Sequence, residues 1–338
     1  MKRLRLLLIR PEGSEPSPAD QSLGARLAAL HGPGHGLVDL EEDSFGRGDL
    51  GYLEKRLHHW VGRISGIVGA TNVPESARLS EIAEKLNVLC FVSNNNVSVW
   101  QGRGQVFHIG LPTPQTATAV ARLLQRAGFG RVFLLYDETE FQARVAANMV
   151  EALDKCGIRV NSKAGSESGW LDEARRWKPQ VFYLIYSEEN RALPIARLFR
   201  SEEPKIPLML GRSLLRSSFI ASLGATADGV LFVDLFRRGE QRGDPVAEFT
   251  SALLKNAVDC PTANHGFGWD AMALCVVALS KGDGNPLHAI EYLESGAIIE
   301  GVTGQFRFSR ENHNGREGPG PTRISRYRNG RLVEVDHV

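Results

Sequence analysis

The sequence predicts an α/β protein built as two doubly wound, Rossmann-like lobes, and three observations carry that expectation. The segment GIVGATNVPESARLSEIAEKLNVLCFVSNNN, Gly66 to Asn96, runs strand, polar turn, helix, strand and polar turn again. From Arg131 onward strands and helices alternate without interruption, the pattern of a parallel sheet covered on both faces. At 338 residues the chain is too long for one small core, and its two halves repeat one layout.

Taken in order, RLRLLLI opens with a strand at Leu4 to Ile9, followed by a helix around Leu23 to Leu30 and a strand at Leu37 to Leu40. Ile64 to Gly69 is the next strand. Thr71 and Asn72 form its turn, and Pro74 stands at an early helical position where a missing N–H is tolerated. Leu79, Ile82, Ala83 and Leu86 recur at helical spacing, so that helix has one face for the sheet. Val88 to Val92 is again a strand and ends in Ser93, Asn94, Asn95 and Asn96. Turns at the carboxyl ends of parallel strands are where open α/β sheets bind ligands.

A second sheet begins after the helix of Val120, Leu123, Leu124 and Ala127. Its strands are RVFLLY, a short Ile158 to Val160, VFYLIY at Val181 to Tyr186, Ile206 to Leu210 and Val230 to Val233. A polar stretch, FRRGEQRGDP, precedes a return to helix with Met272, Cys275, Val276 and Leu279 on one face. LHAIEYLES reads as a short helix, and GVTGQFRFS as a short strand entering a Gly-rich loop. RISRYRNGRLVEV alternates about Asn329 and Gly330, a hairpin signal.

Forty basic against 39 acidic residues leave a formal charge of +1, so no global field draws the chain to nucleic acid or an anionic membrane. Cys90, Cys156, Cys260 and Cys275 are scattered without a metal-type spacing and read as free thiols. No stretch has membrane-spanning length. Leu6 to Ile9 is too brief for the apolar region of a signal peptide, which leaves a cytosolic protein or one whose signal has been removed.

Catalytic constellations are missing from the sequence. His31 and His35 are separated by Gly32, Pro33 and Gly34, which break the helix needed to present both rings to one metal. His58 and His59 point to different faces of their helix. No GxSxG elbow or phosphate-binding loop occurs, and the expectation is a non-enzyme with no cofactor and no metal.

The order of SLGARLAALHGPGHGLVDLEEDSF, GIVGATNVPES, RVFLLYDETEFQARVAANMVEALDKCGIRV and FGWDAMALCVVAL followed by GVTGQFRFS resembles the type 1 periplasmic binding proteins, specifically the leucine/isoleucine/valine-binding receptors. That resemblance implies two lobes joined by three hinge crossovers, lobe 1 at residues 1–112 plus 235–300 and lobe 2 at 113–234 plus 301–338. It implies a substrate-binding component of an ABC-type transporter, closing on an amino acid-like, carboxylate or amide ligand and working with a permease. A cytosolic sensor similar to the amide-sensing regulators is the alternative, and a homodimer is compatible with either.

By the same resemblance Thr71 and Asn72, then Ser93, Asn94 and Asn95, contact the ligand from lobe 1, although these residue types also suit a helix cap and a plain turn. Phe141, Tyr186, Ser187, Arg212 and Ser213 stand at the corresponding positions of lobe 2. Phe141 equally suits the core, and Arg212 a solvated surface. Receptors for amino acids commonly place a carboxylate near Arg212 to meet the ligand ammonium. A guanidinium repels an ammonium and pairs with a carboxylate, which points to a ligand without a free amine unless Asp137 or Asp234 supplies the charge.

Overall fold

The computed structural model describes residues 3–12, 16–46, 49–69, 73–94, 96–165, 169–236, 245–316 and 322–335. Contacts divide the chain into two units, Met1–Leu111 with Glu240–Gly318, and Pro112–Gly239 with Pro319–Val338.

The first unit begins with strands β1 (Leu4–Pro11), β2 (Val38–Phe45), β3 (Gly66–Gly69), β4 (Leu89–Val92) and β5 (Val106–His108), separated by helices α1 (Pro16–His31), α2 (Leu50–Trp60) and α3 (Val73–Leu86). The sheet order is β2-β1-β3-β4-β5 and every pairing is parallel. Leu6, Leu7, Leu8 and Ile9 of β1 are all buried, as a central parallel strand covered on both faces requires. β2 runs past the expected Leu40 because its acidic residues pair with β1 as far as Phe45 while lying at the sheet edge. Arg26 holds Glu42 through two bonds of 2.8 and 2.6 Å, and Arg56 holds Asp43 at 2.8 Å, so charge clothes an edge that could otherwise recruit another strand.

The second unit carries α4 (Thr113–Arg126), β6 (Arg131–Tyr136), α5 (Glu140–Lys155), β7 (Arg159–Ala164), α6 (Trp170–Trp177), β8 (Val181–Ile185), α7 (Glu189–Glu202), β9 (Leu208–Leu210), α8 (Ser217–Leu223) and β10 (Leu231–Asp234). Its parallel strands are ordered β7-β6-β8-β9-β10, the same winding as in the first unit. Side chains of β8 alternate: Val181, Tyr183 and Ile185 join the core beneath α4 and α5, while Phe182 stacks on Phe133 and Phe199.

The chain then returns to the first unit through α9 (Pro245–Lys255), α10 (Ala263–Lys281), α11 (Pro286–Glu294) and the antiparallel ribbon β11 (Ser295–Gly301) and β12 (Gly304–Ser309). A Cβ on Gly268 would fall 1.8 Å from the Gln21 carbonyl oxygen, so α10 lies on α1 only because this position is glycine. Residues 301–316 fold here and not, as expected, in the second lobe. β12 pairs with β11, the His108 N–H donates to the His313 carbonyl at 2.8 Å, and Arg316 donates from Nε to the Ile109 carbonyl at 2.9 Å. Buried Asp270 accepts from the Val302 and Thr303 N–H groups at 2.7 and 2.9 Å, and the Arg316 guanidinium lies 4.3 Å above Phe306. Strands β13 (Arg323–Arg328) and β14 (Arg331–Glu334) form the expected hairpin and extend the second unit's sheet beside β10.

Cys90, Cys260 and Cys275 are buried free thiols and Cys156 is partly exposed. Among the described residues no helix is long and apolar enough to cross a membrane, and no group of His, Cys, Asp and Glu could hold a metal ion.

Candidate functional site

In the second unit the winding reverses between β6 and β8, so the carboxyl ends of these strands flank the natural ligand crevice of such a sheet. Tyr186 follows β8 at this point. Its ring is buried, and its hydroxyl fills the space where a Cβ on Gly165 would stand, 1.5 Å away. Burial pushes the phenol up to about 12, with Arg191 opposing and Asp137 and Glu138 adding to the rise. Arg191 lies 5.9 Å from the ring centroid and donates to Asp137 Oδ1 at 3.1 Å.

Beside Tyr186 a cavity of about 50 Å³ opens between α4, α5 and the ends of β8, β9 and β10. Thr113, Thr116 and Ala117 line it from α4, and Phe141, Gln142, Val145 and Met149 line it from α5. Tyr183, Ile185 and Val233 close it from the sheet, and Gly211, Arg212 and Ser213 from the turn after β9. Ala117, Met149, Tyr183, Ile185 and Val233 belong to the apolar core, so this recess is a gap left in that core at its rim. Among the described residues that line it, Arg212 is the one charged group. Burial pushes its guanidinium below the ordinary range, with Tyr183 opposing; burial also raises the Tyr183 phenol, so it remains neutral.

Four of the expected residues, Phe141, Tyr186, Arg212 and Ser213, therefore line one recess. Phe141 is 43% exposed, which favours the wall over the core for a residue at the start of α5. Ser187 is exposed at its margin and its hydroxyl accepts from Gln142 Nε2 at 2.6 Å. Asp137 and Asp234, the two alternative sources of negative charge, do not line the recess. Both are buried and engaged: Asp137 by Arg191 and the Thr139 N–H, Asp234 by Ser325 Oγ at 3.0 Å and the Leu235 N–H at 2.7 Å. Ala117, Met149, Tyr183 and Val233 were missed as site residues. The one sequence signal for them was a phenol in the middle of the apolar strand VFYLI.

At the carboxyl edge of the first unit several described polar groups bond to one another. Ser93 Oγ donates to Gln21 Oε1 of α1 at 2.9 Å, and Asn94 Oδ1 accepts from the Asn96 N–H at 2.7 Å. Thr262 Oγ1 donates to Asp20 at 2.8 Å, and its N–H is held by His265 Nδ1 at 3.1 Å, which caps α10 over α1. Thr71, Asn72 and Asn95 lie outside the described residues. A larger groove of about 580 Å³ in this unit adjoins the start of β5; of the charged groups lining it, His313 is bonded to Glu294 at 3.0 Å and Arg103 to Glu84.

Comparison with known proteins places this geometry. Solved structures of the same fold include a leucine binding protein from Thermotoga maritima, 17% identical with a TM-score of 0.74 over 98% of this chain and 97% of that one. An ABC transporter substrate-binding protein from Desulfitobacterium hafniense in complex with Leu is 19% identical, with a TM-score of 0.75 over 99% and 100%. An ABC transporter solute binding protein from R. palustris in complex with benzoate is 16% identical, with a TM-score of 0.74 over 98% and 95%. No curated protein sequence matches the chain. The family model described as periplasmic binding protein matches residues 56–330, a span that reaches through both units, and the chain belongs to that family.

Proposed function

We propose that the protein is a non-catalytic receptor, the substrate-binding component of an ABC-type transporter, and that it takes a small ligand bearing a carboxylate or amide and lacking a free amine. The observation that carries this reading is the charge of the recess: among the described residues that line it, Arg212 is the one ionised group and none is a carboxylate to receive an ammonium. A guanidinium in a poorly solvated place binds a carboxylate strongly, through two parallel N–H donors. Tyr186 and Ser213 add neutral polar groups beside it. Thr71, Asn72, Ser93, Asn94 and Asn95 are the proposed contacts from the first unit, with the two units closing over the ligand as in hinge-type receptors. Membership of the family and relatives solved with Leu and with benzoate support a transport role outside the cytoplasm.

A thermal-shift screen across amino acids, aliphatic and aromatic carboxylates, amides and ureas tests the proposal. A true ligand at a hundred times its Kd adds about 2.7 kcal/mol to stability. Carboxylates or amides are expected to stabilise most. Clear preference for zwitterionic amino acids, or chemical turnover of a bound compound, would overturn it.

A further inference from the structure

The recess behind Arg212 has a shape that the charge argument does not use. Protein cores are close-packed, and voids larger than a water molecule are few. Yet here Ala117 and Met149, each about 1% exposed, stand back from Tyr183, Ile185 and Val233 and leave about 50 Å³ open at the rim of the core. At roughly 10–15 Å³ per water-sized position, that space holds about three to five non-hydrogen atoms. Its inner surface is apolar, and Arg212, the one charged group among the described lining residues, lies in the turn after β9, clear of the core cluster that forms the floor.

We infer that this well is a length-selecting subsite: a carboxylate held at Arg212 sends a short apolar chain of about three to five carbons between α4 and α5, and Met149 sets the depth at which the chain stops. The inference rests on the carboxylate reading and adds to it the class of acid, a short unbranched or compact monocarboxylate. Chain atoms entering the well replace water contact with contacts to Val145, Met149 and Val233, and each methylene buried there strengthens binding about fourfold. A chain longer than the well must displace Met149, which the surrounding core resists.

The test is calorimetric titration of the full chain with straight-chain monocarboxylates from acetate to octanoate. For the wild-type protein, affinity should climb about fourfold per carbon to an optimum between butanoate and hexanoate, then fall. Met149→Ala should move the optimum two or three carbons longer, and Ala117→Val should move it shorter. Val145→Ala, at a less buried point of the same wall, serves for Met149→Ala if that variant does not fold. An optimum that stays in place in these variants while Arg212→Met still abolishes binding would overturn the subsite and leave the carboxylate reading intact. No binding of any straight-chain monocarboxylate to the wild-type protein would overturn the subsite, whereas the carboxylate-or-amide reading falls separately, on a thermal-shift preference for zwitterionic amino acids.

Discussion

The two sheets share one winding order, but their carboxyl edges are finished in opposite ways. In the first unit several described polar groups of the edge bond to one another: Ser93 to Gln21, Asn94 to the Asn96 N–H, and Thr262 to Asp20 and His265. In the second the edge is an incompletely filled apolar core with one buried guanidinium at its rim. Hydrogen-bonded groups gain little on meeting a ligand, since each new bond replaces one already made. An open apolar recess gains from a ligand that fills it, and a guanidinium at its rim can pair with a carboxylate through two parallel donors, so discrimination among ligands should reside in the second unit.

The largest effect that would break this contrast is at Arg212. Arg212→Met should weaken binding of the best carboxylate by 100-fold or more, about 3 kcal/mol, measured by calorimetric titration. The melting temperature should hold or rise, because a desolvated charge is removed. Unchanged affinity would return Arg212 to a structural role.

The units also differ in their response to acid. His108, buried at the end of β5 against Trp100 and bonded to Asn314, is held down to about 4 by burial, so the folded state keeps it neutral. The unfolded chain protonates its histidine near the ordinary value of 6.5, and stability is therefore lost as pH falls from 6.5 toward 4, by up to about 3 kcal/mol. Asp270, pushed up to about 6 by burial, acts with the opposite sign, because the folded state takes its proton first. His108→Gln removes only the destabilising half. Its melting temperature relative to the wild-type protein should rise steadily between pH 7 and pH 4; parallel curves would contradict this. The buried groups of the recess, Arg212, Tyr183 and Tyr186, stay in one ionisation state over that range.

Gly165→Ala should drive the Tyr186 ring from its seat at a cost of about 2 kcal/mol in chemical denaturation. Adding Tyr186→Phe should recover part of that loss, and failure to recover any would place the strain elsewhere. The smallest expected effect sharpens the contrast from the other side. Ser93→Ala should lower stability by about 1 kcal/mol through the lost bond to Gln21, and reduce ligand affinity much less than Arg212→Met does. A larger loss of affinity at Ser93 than at Arg212 would reverse the assignment of specificity.

Much of this arrangement was legible residue by residue. RVFLLY and VFYLIY read as central strands because strands covered on both faces are continuously apolar, and the helix faces of α3, α4 and α10 followed from 3.6-residue spacing. Acidic EEDSF did not read as strand, because an edge strand has no second buried face to leave a pattern. β5 and α6, of 3 and 8 residues, are too short for periodicity to register. The placement of 301–316 was missed because its determinants, Asp270 and Ile109, lie far away in sequence.

The α/β class, the two-lobe plan, the positions of Tyr186, Arg212 and Ser213 in turns after strands and that of Phe141 at the start of a helix are properties of local pattern and chain order, and the sequence by itself determined them. The recess was decided only by the tertiary structure. Ala117, Met149, Tyr183 and Val233 have the spacing of ordinary core residues, and all four are core residues. Whether four such side chains meet or leave a gap depends on how closely two helices and two strands approach, a distance that no local periodicity encodes.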